Sequence, residues 1–202
     1  MEIKICGIRR KEDIDIISKY KPDYIGFIFA KSKREVTPET VAEITKNLDK
    51  NIKKVGVFVN ATYEKINEAV KAAKLDVVQL HGDENEEYIS NLDCKCEIWK
   101  AVRVRDGEDI YDPQVDTTLL RKNTDKEYGG SGQTFDWHGG SRIKTDKPIM
   151  LAGGIKTENV IEGINIFKPV GVDISSSVET DGFKDEQKIK KFIETVRSYE
   201  NE

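Results

Sequence analysis

The sequence predicts an α/β protein folded as a single (β/α)8 barrel of the TIM type over residues 1–202. Three observations point there. Eight short apolar or β-branched runs recur along the chain, and segments with helical periodicity separate most of them. The chemically loaded residues gather at the C-terminal ends of those runs. Strands alternating with helices imply parallel β-α units, and eight such units close into a barrel. A doubly wound open sheet is the structural rival, and it accounts less well for the eighth unit.

The first run, EIKICGI (2–8), ends in Cys6, and Gly7 turns the backbone. The second, DYIGFIFA (23–30), leads into a basic loop, KSKRE, after which Thr37 before Pro38 signals a helix start. KKVGVFVN (53–60) precedes a helix whose Tyr63, Ile66 and Val70 share one face. DVVQLHG (76–82) and EIWKAVRV (97–104) follow. The connection RDGEDIYDPQ is too short and polar to predict a helix. VDTTLL (115–120) runs towards the long loop YGGSGQTFDW, and PIMLAGGI (148–155) and VGVDISSS (170–177) complete the set. Ile189, Phe192, Ile193 and Val196 then repeat at i, i+3, i+4, i+7, the stripe of an amphipathic helix.

Composition excludes several function classes. Of 202 residues 37% are hydrophobic and 35% charged, but both signs are mixed and the net charge is only −4. That is not the basic footprint of a nucleic-acid binder. No apolar run approaches the roughly 20 residues of a membrane span. The opening MEIKIC reads as a strand rather than a signal peptide. Three cysteines suit a reducing cytoplasm. Cys94 and Cys96 form a lone C-x-C, and with His81 and His138 as the only histidines no usual zinc frame exists. They are read as structural, and no metal is expected.

In a barrel of this kind active sites lie at the C-terminal ends of the strands. Cys6, Asn60 and His81 close the first, third and fourth runs, and Arg34 follows the second. Cys6 has two readings, a small core residue or a nucleophile or base at the rim. Gly153 and Gly154 let backbone N–H groups approach an anion, and Ser175, Ser176 and Ser177 add donors in the next loop. Together they predict a phosphate site. The Arg34 guanidinium suits a carboxylate. Asp136, between Phe135 and Trp137, is either a carboxyl kept protonated by apolar neighbours or a helix N-cap.

The motifs KICGI, GFIFAKSKR, VGVFVN, VVQLHGDE, GGSGQTFDW, LAGGI and GVDISSSVE occur in an order that resembles the phosphoribosylanthranilate isomerase family, from Lys4 to about Glu179. The resemblance implies a phosphate-binding barrel acting in tryptophan biosynthesis. Its expected reaction is the Amadori rearrangement of N-(5-phosphoribosyl)anthranilate to the deoxyribulose phosphate isomer, without a cofactor. It implies Cys6 as general base, Asp136 as general acid and Arg34 as the anthranilate carboxylate site, with phosphate held by the loops around Gly154 and Ser176. His81 and Asp173 join the substrate-binding candidates, and the expected partner is a small phosphorylated molecule, for a monomer or a homodimer.

Strand alternation places Lys4 on the same face as Cys6, where an ammonium would favour the thiolate. Asp173 shares a face with Ser175 in the neighbouring eighth strand, so pairing with Lys4 and contact with substrate are both open to it. Two departures from the family pattern stand out. Ser177 replaces an expected glycine, and Arg121 follows Leu119 and Leu120 where an aspartate is usual. Two rivals differ in kind. The histidine-pathway sugar isomerase uses aspartate where Cys6 stands and repeats internally, and a non-catalytic phosphometabolite-binding barrel would not need Cys6 and Asp136.

Overall fold

The computed structural model describes residues 1–104, 115–122 and 145–199. The strands are β1 (Glu2–Cys6), β2 (Tyr24–Ile28), β3 (Lys53–Phe58), β4 (Val77–Leu80), β5 (Glu97–Val104), β6 (Thr117–Lys122), β7 (Ile149–Leu151) and β8 (Gly171–Ile174). They close into one parallel barrel in chain order, with β8 pairing back onto β1. Interleaved are α1 (Lys11–Tyr20), α2 (Pro38–Ile44), α3 (Tyr63–Ala73), α4 (Glu86–Ser90), α5 (Val160–Phe167) and α6 (Glu186–Tyr199). The expected barrel is therefore the observed one. The polar connection after β5 and the loop containing Asp136 lie outside the described residues.

Local chemistry starts and stops the helices. Thr37 caps α2 by accepting the Thr40 amide at 3.3 Å, with Pro38 in the first turn. Thr62 and Asn85 cap α3 and α4 in the same way. At α1 the cap is inverted: buried Asp13 reaches back to the amides of Arg9 and Arg10 at 3.0 and 3.1 Å. α1, α3 and α5 each end on a lysine in the left-handed conformation, Lys21, Lys74 and Lys168.

Two cores follow from strand alternation. Ile3, Ile5, Phe27, Val78 and Leu80 face the helices and pack with Ile189, Phe192, Ile193 and Val196 of α6. Tyr24, Val55, Val77, Trp99, Leu119 and Met150 fill the barrel itself, with the Tyr24 ring edge-on to Trp99 at 4.8 Å. The sixth strand starts at Thr117 rather than at Val115. Asp116 uses both its own amide and its carboxylate on the backbone of Ile98, which makes it the turn into the strand.

One element goes beyond the sequence reading. After a single 3-10 turn at Ser176–Val178, β9 (Glu179–Thr180) and β10 (Phe183–Lys184) pair as an antiparallel hairpin. Asp181 and Gly182 both have positive φ, 52° and 79°, as a two-residue type I′ turn requires. The Arg9 guanidinium donates to the Gly182 carbonyl and to the Lys33 carbonyl, and Arg10 stacks on the Phe183 ring at 4.0 Å. The hairpin is thus strapped to the loop after β1.

Closure at the β8–β1 seam leaves no room for a side chain at Gly171. A Cβ there would lie 2.7 Å from the Glu2 carbonyl oxygen and 2.8 Å from Met150 Cε. Gly171→Ala is expected to lower stability by about 1–3 kcal/mol, read from the urea unfolding midpoint. An unchanged midpoint would mean that the seam yields freely.

Candidate active site

Cys6 is the last residue of β1 and is 7% exposed. Its register partner on β2 is Gly26, and a Cβ on Gly26 would sit 2.6 Å from the Cys6 sulfur. The thiol therefore occupies the volume that a larger residue at 26 would fill. Gly7, at φ 84°, turns the chain away, and its missing side chain admits Arg34: a Cβ there would lie 2.7 Å from Arg34 Cδ.

Beneath the thiol Lys4 and Asp173 are register partners across the seam, and Lys4 Nζ donates to Asp173 Oδ2 at 2.8 Å. Lys4 is fully buried, and Asp173 is 8% exposed. Asp173 Oδ1 is buried and finds no hydrogen-bond partner among the described residues. Burial alone would strip Lys4 of its charge, but the charges of Asp173 and Cys6 outweigh it and hold Lys4 above the ordinary lysine range. Cys6 goes the other way from the sequence expectation. Burial pushes its thiol up, and the pull of Lys4 towards the thiolate does not offset it. Loss of water around the sulfur is the main physical reason, and the Asp173 carboxylate adds a smaller push in the same direction.

A continuous hydrogen-bonded chain runs from Cys6 to the hairpin. Ser175 Oγ donates to the Cys6 carbonyl at 3.0 Å, and Lys184 Nζ donates to the Ser175 carbonyl at 3.0 Å and to Glu179 Oε1 at 2.7 Å. Glu179 in turn receives Arg34 Nε at 2.8 Å and Nη2 at 2.6 Å. Burial alone would raise Glu179, but Arg34 and Lys184 hold its carboxyl below the usual range. Cys6, Arg34, Asp173 and Ser175, chosen separately from sequence, are thus one assembly. Lys184 and Glu179 were missed, although the Asp-Gly dipeptide between them signals a hairpin.

His81 stands apart, at the end of β4, with its Nδ1 3.0 Å from the Gln79 side-chain amide. Its loop is pinned by Glu84, which accepts the amides of Asn60 and Gly82 at 2.7 and 2.9 Å and pairs with buried Lys100 at 2.7 Å. Gly153 and Gly154 have φ of 76° and 74°, the conformation their role as a turn requires. The Ser175 hydroxyl is committed to Cys6, while Ser176 borders a cleft of about 570 Å³ lined by both signs of charge, Lys156, Lys188 and Lys191 with Glu158 and Glu179. Ser177, the unexpected serine, donates to the Ile155 carbonyl at 2.5 Å and so ties the eighth loop to the seventh. Asp136 lies outside the described residues, as do the side chain of Arg121 and His138. Cys96 donates to the Leu75 carbonyl at 3.3 Å, and Cys94 and Cys96 pack against the core, in keeping with a structural part. Among the described residues no group of three or more His, Cys, Asp or Glu side chains is placed to hold a metal ion.

Known proteins share the sequence family and the fold. The family model for N-(5′-phosphoribosyl)anthranilate (PRA) isomerase matches residues 3–195. An N-(5′-phosphoribosyl)anthranilate isomerase of Clostridium acetobutylicum is 50% identical over 204 residues, covering 98% of this chain and 99% of that protein. The crystal structure of phosphoribosyl anthranilate isomerase from Thermus thermophilus superposes with a TM-score of 0.88 at 28% identity, covering 98% of this chain and all of the other. A phosphoribosyl anthranilate isomerase in complex with reduced 1-(o-carboxyphenylamino)-1-deoxyribulose 5-phosphate superposes with a TM-score of 0.79 at 31% identity, covering 98% and 99%. With the family model spanning nearly its whole length, the chain belongs to the N-(5′-phosphoribosyl)anthranilate isomerase family.

Proposed function

We propose that this chain acts as a single catalytic domain that isomerises N-(5′-phosphoribosyl)anthranilate to 1-(o-carboxyphenylamino)-1-deoxyribulose 5-phosphate, with Cys6 as general base and Asp136 as general acid. The observation that carries the reading is the thiol itself. It is held over Gly26 at the barrel mouth, above a buried Lys4–Asp173 ion pair. Three free thiols, those of Cys6, Cys94 and Cys96, suit work in a reducing cytoplasm.

The chemistry needs two proton-transfer groups on opposite sides of one sugar. Asp136 protonates the ring oxygen, and the furanose opens to a Schiff base. The Cys6 thiolate then takes the proton from C2′, giving an enolamine that tautomerises to the ketone. Lys4 supplies a fixed positive charge beside the sulfur as the thiolate forms. Asp173 serves both uses left open by the sequence: Oδ2 pairs with Lys4, and Oδ1 is available to accept a hydrogen bond from the substrate. Arg34 receives the anthranilate carboxylate, and His81 borders the substrate from the far side of the mouth. The phosphate lies by Gly153, Gly154 and Ser176, beside a cleft lined by Lys156, Lys188 and Lys191 as well as by Glu158 and Glu179. The Ser175 hydroxyl steadies the Cys6 carbonyl, which leaves its backbone N–H for the anion.

Replacement of either proton-transfer group should cost turnover and spare the fold. Cys6→Ser, Cys6→Ala and Asp136→Asn are each expected to lose about 10²–10⁴ in kcat with little change in melting temperature. Wild-type turnover in Cys6→Ser would remove Cys6 from the chemistry, and loss of all turnover-independent ligand binding would make its role structural.

Because burial raises the thiol and only the thiolate accepts a proton, the rate should climb as pH approaches that raised pKa. The expected rise in kcat/KM is about tenfold per pH unit on the acid side of the thiol pKa, extending to higher pH than an ordinary cysteine would give. A profile flat from neutral pH upwards would contradict the thiolate as base.

Gly26→Ala places a methyl group where the sulfur sits. The thiol must move, so kcat should fall by about 10-fold or more while affinity for the reduced product analogue stays close to wild type. Unchanged kcat would show that the position of the sulfur over Gly26 is not needed.

A further inference from the structure

A guanidinium offers two edges that each carry a pair of parallel N–H donors, Nε with Nη2 and Nη1 with Nη2. In this protein Glu179 occupies the first edge of Arg34 with both carboxylate oxygens, at 2.8 and 2.6 Å. Among the described residues the Nη1–Nη2 edge makes no hydrogen bond, so a second carboxylate can still bind there bidentately. The arginine stem lies against Gly7, with no room for a side chain between them. Its position is thereby fixed at both ends, by Gly7 under the stem and by Glu179 at the head.

Glu179 is itself anchored. Its side chain is 6% exposed and pairs with Lys184, which is 1% exposed and also donates to the Ser175 carbonyl. Lys188 Nζ donates to the Glu179 backbone carbonyl at 2.7 Å. For Glu179 to swing aside and leave its place to a substrate carboxylate, the buried ammonium of Lys184 would lose the carboxylate it is paired with, a costly step. We propose that Glu179 is a positioning residue that holds the side edge of Arg34 and so presents the end edge to the carboxylate of the substrate. The hairpin, through Glu179 and Lys184, thereby sets carboxylate specificity without touching the ligand. The proposal rests on Arg34 being the carboxylate site.

The test measures dissociation constants by calorimetry for two ligands. One is reduced 1-(o-carboxyphenylamino)-1-deoxyribulose 5-phosphate, and the other is the same molecule without the ring carboxylate. Wild type, Arg34→Ala and Glu179→Gln are compared, with melting temperatures for each. The amide of Glu179→Gln keeps the shape but turns an N–H pair towards Arg34. It is expected to weaken the carboxylated ligand by about tenfold or more, to leave the other ligand within about twofold, and to raise substrate KM more than it lowers kcat. Glu179→Asp keeps the negative charge beside Lys184 but is too short to span both nitrogens of Arg34. It should show the same selective loss, and it carries the test if Glu179→Gln does not fold.

If Glu179→Gln tightens the carboxylated ligand, Glu179 is a competitor for the arginine and the proposal is overturned. Equal weakening of both ligands makes Glu179 merely structural, and no weakening makes it irrelevant; each also overturns it. These outcomes leave the reading of Arg34 intact as long as Arg34→Ala loses the carboxylated ligand selectively. Equal loss of both ligands in Arg34→Ala defeats that reading, and the proposal with it.

Discussion

The seam between β1 and β8 is the constraint on which the rest of the site depends. Register sets Lys4 opposite Asp173, and alternation then puts Cys6 one layer higher on the same face, at the mouth. A shift of one residue in β1 would turn Ile3 and Ile5 into the barrel and Lys4 and Cys6 out among the helices. A buried ion pair of this sort contributes little net stability, because desolvation consumes most of the Coulomb gain. What it contributes is a fixed charge beside the thiol, in a place where water would otherwise set the electrostatics.

The same seam receives the hairpin. Lys184 reaches inward from β10 to the carbonyl of Ser175, whose hydroxyl holds the carbonyl of Cys6. Its pKa is lowered by burial, and the charge of Glu179 works against that shift. Two ammonium groups, Lys4 from below and Lys184 from the side, therefore both favour the Cys6 thiolate, while Asp173 opposes it. Burial still dominates. In the proposed mechanism a thiol raised in this way would, once ionised, be a stronger base towards a weakly acidic C–H proton than a thiolate stabilised by solvent.

The departures from the family pattern have different weights. Ser177 stands in the eighth loop where a glycine is expected. Its hydroxyl bonds the Ile155 carbonyl and links the seventh and eighth loops. On the opposite side of the mouth the loops after β3 and β4 are joined by Glu84 and Lys100, a buried pair far from the seam. The mouth is thus built from two separately braced halves, one around Cys6 and one around His81.

Much of this was legible in the residues. Alternation fixed which face each strand presents, so eight strands, their closure and the shared face of Lys4 and Cys6 were readable from β-branched runs and their spacing. The Lys4–Asp173 pairing was one of two uses open to Asp173. Gly7 after Cys6, the Thr37–Pro38 start and the stripe of α6 are local signals, and local signals survive folding. The hairpin was not read, because two-residue strands carry no periodicity and only the Asp181–Gly182 turn marks them. Tertiary structure alone decided the rest. Arg34 and Glu179 lie 145 positions apart and meet only when β8 returns to β1. The sign of the Cys6 shift depends on weighing desolvation against Lys4 and Asp173. A sequence names the charges that surround a thiol, but the water excluded from around it is a property of the closed barrel.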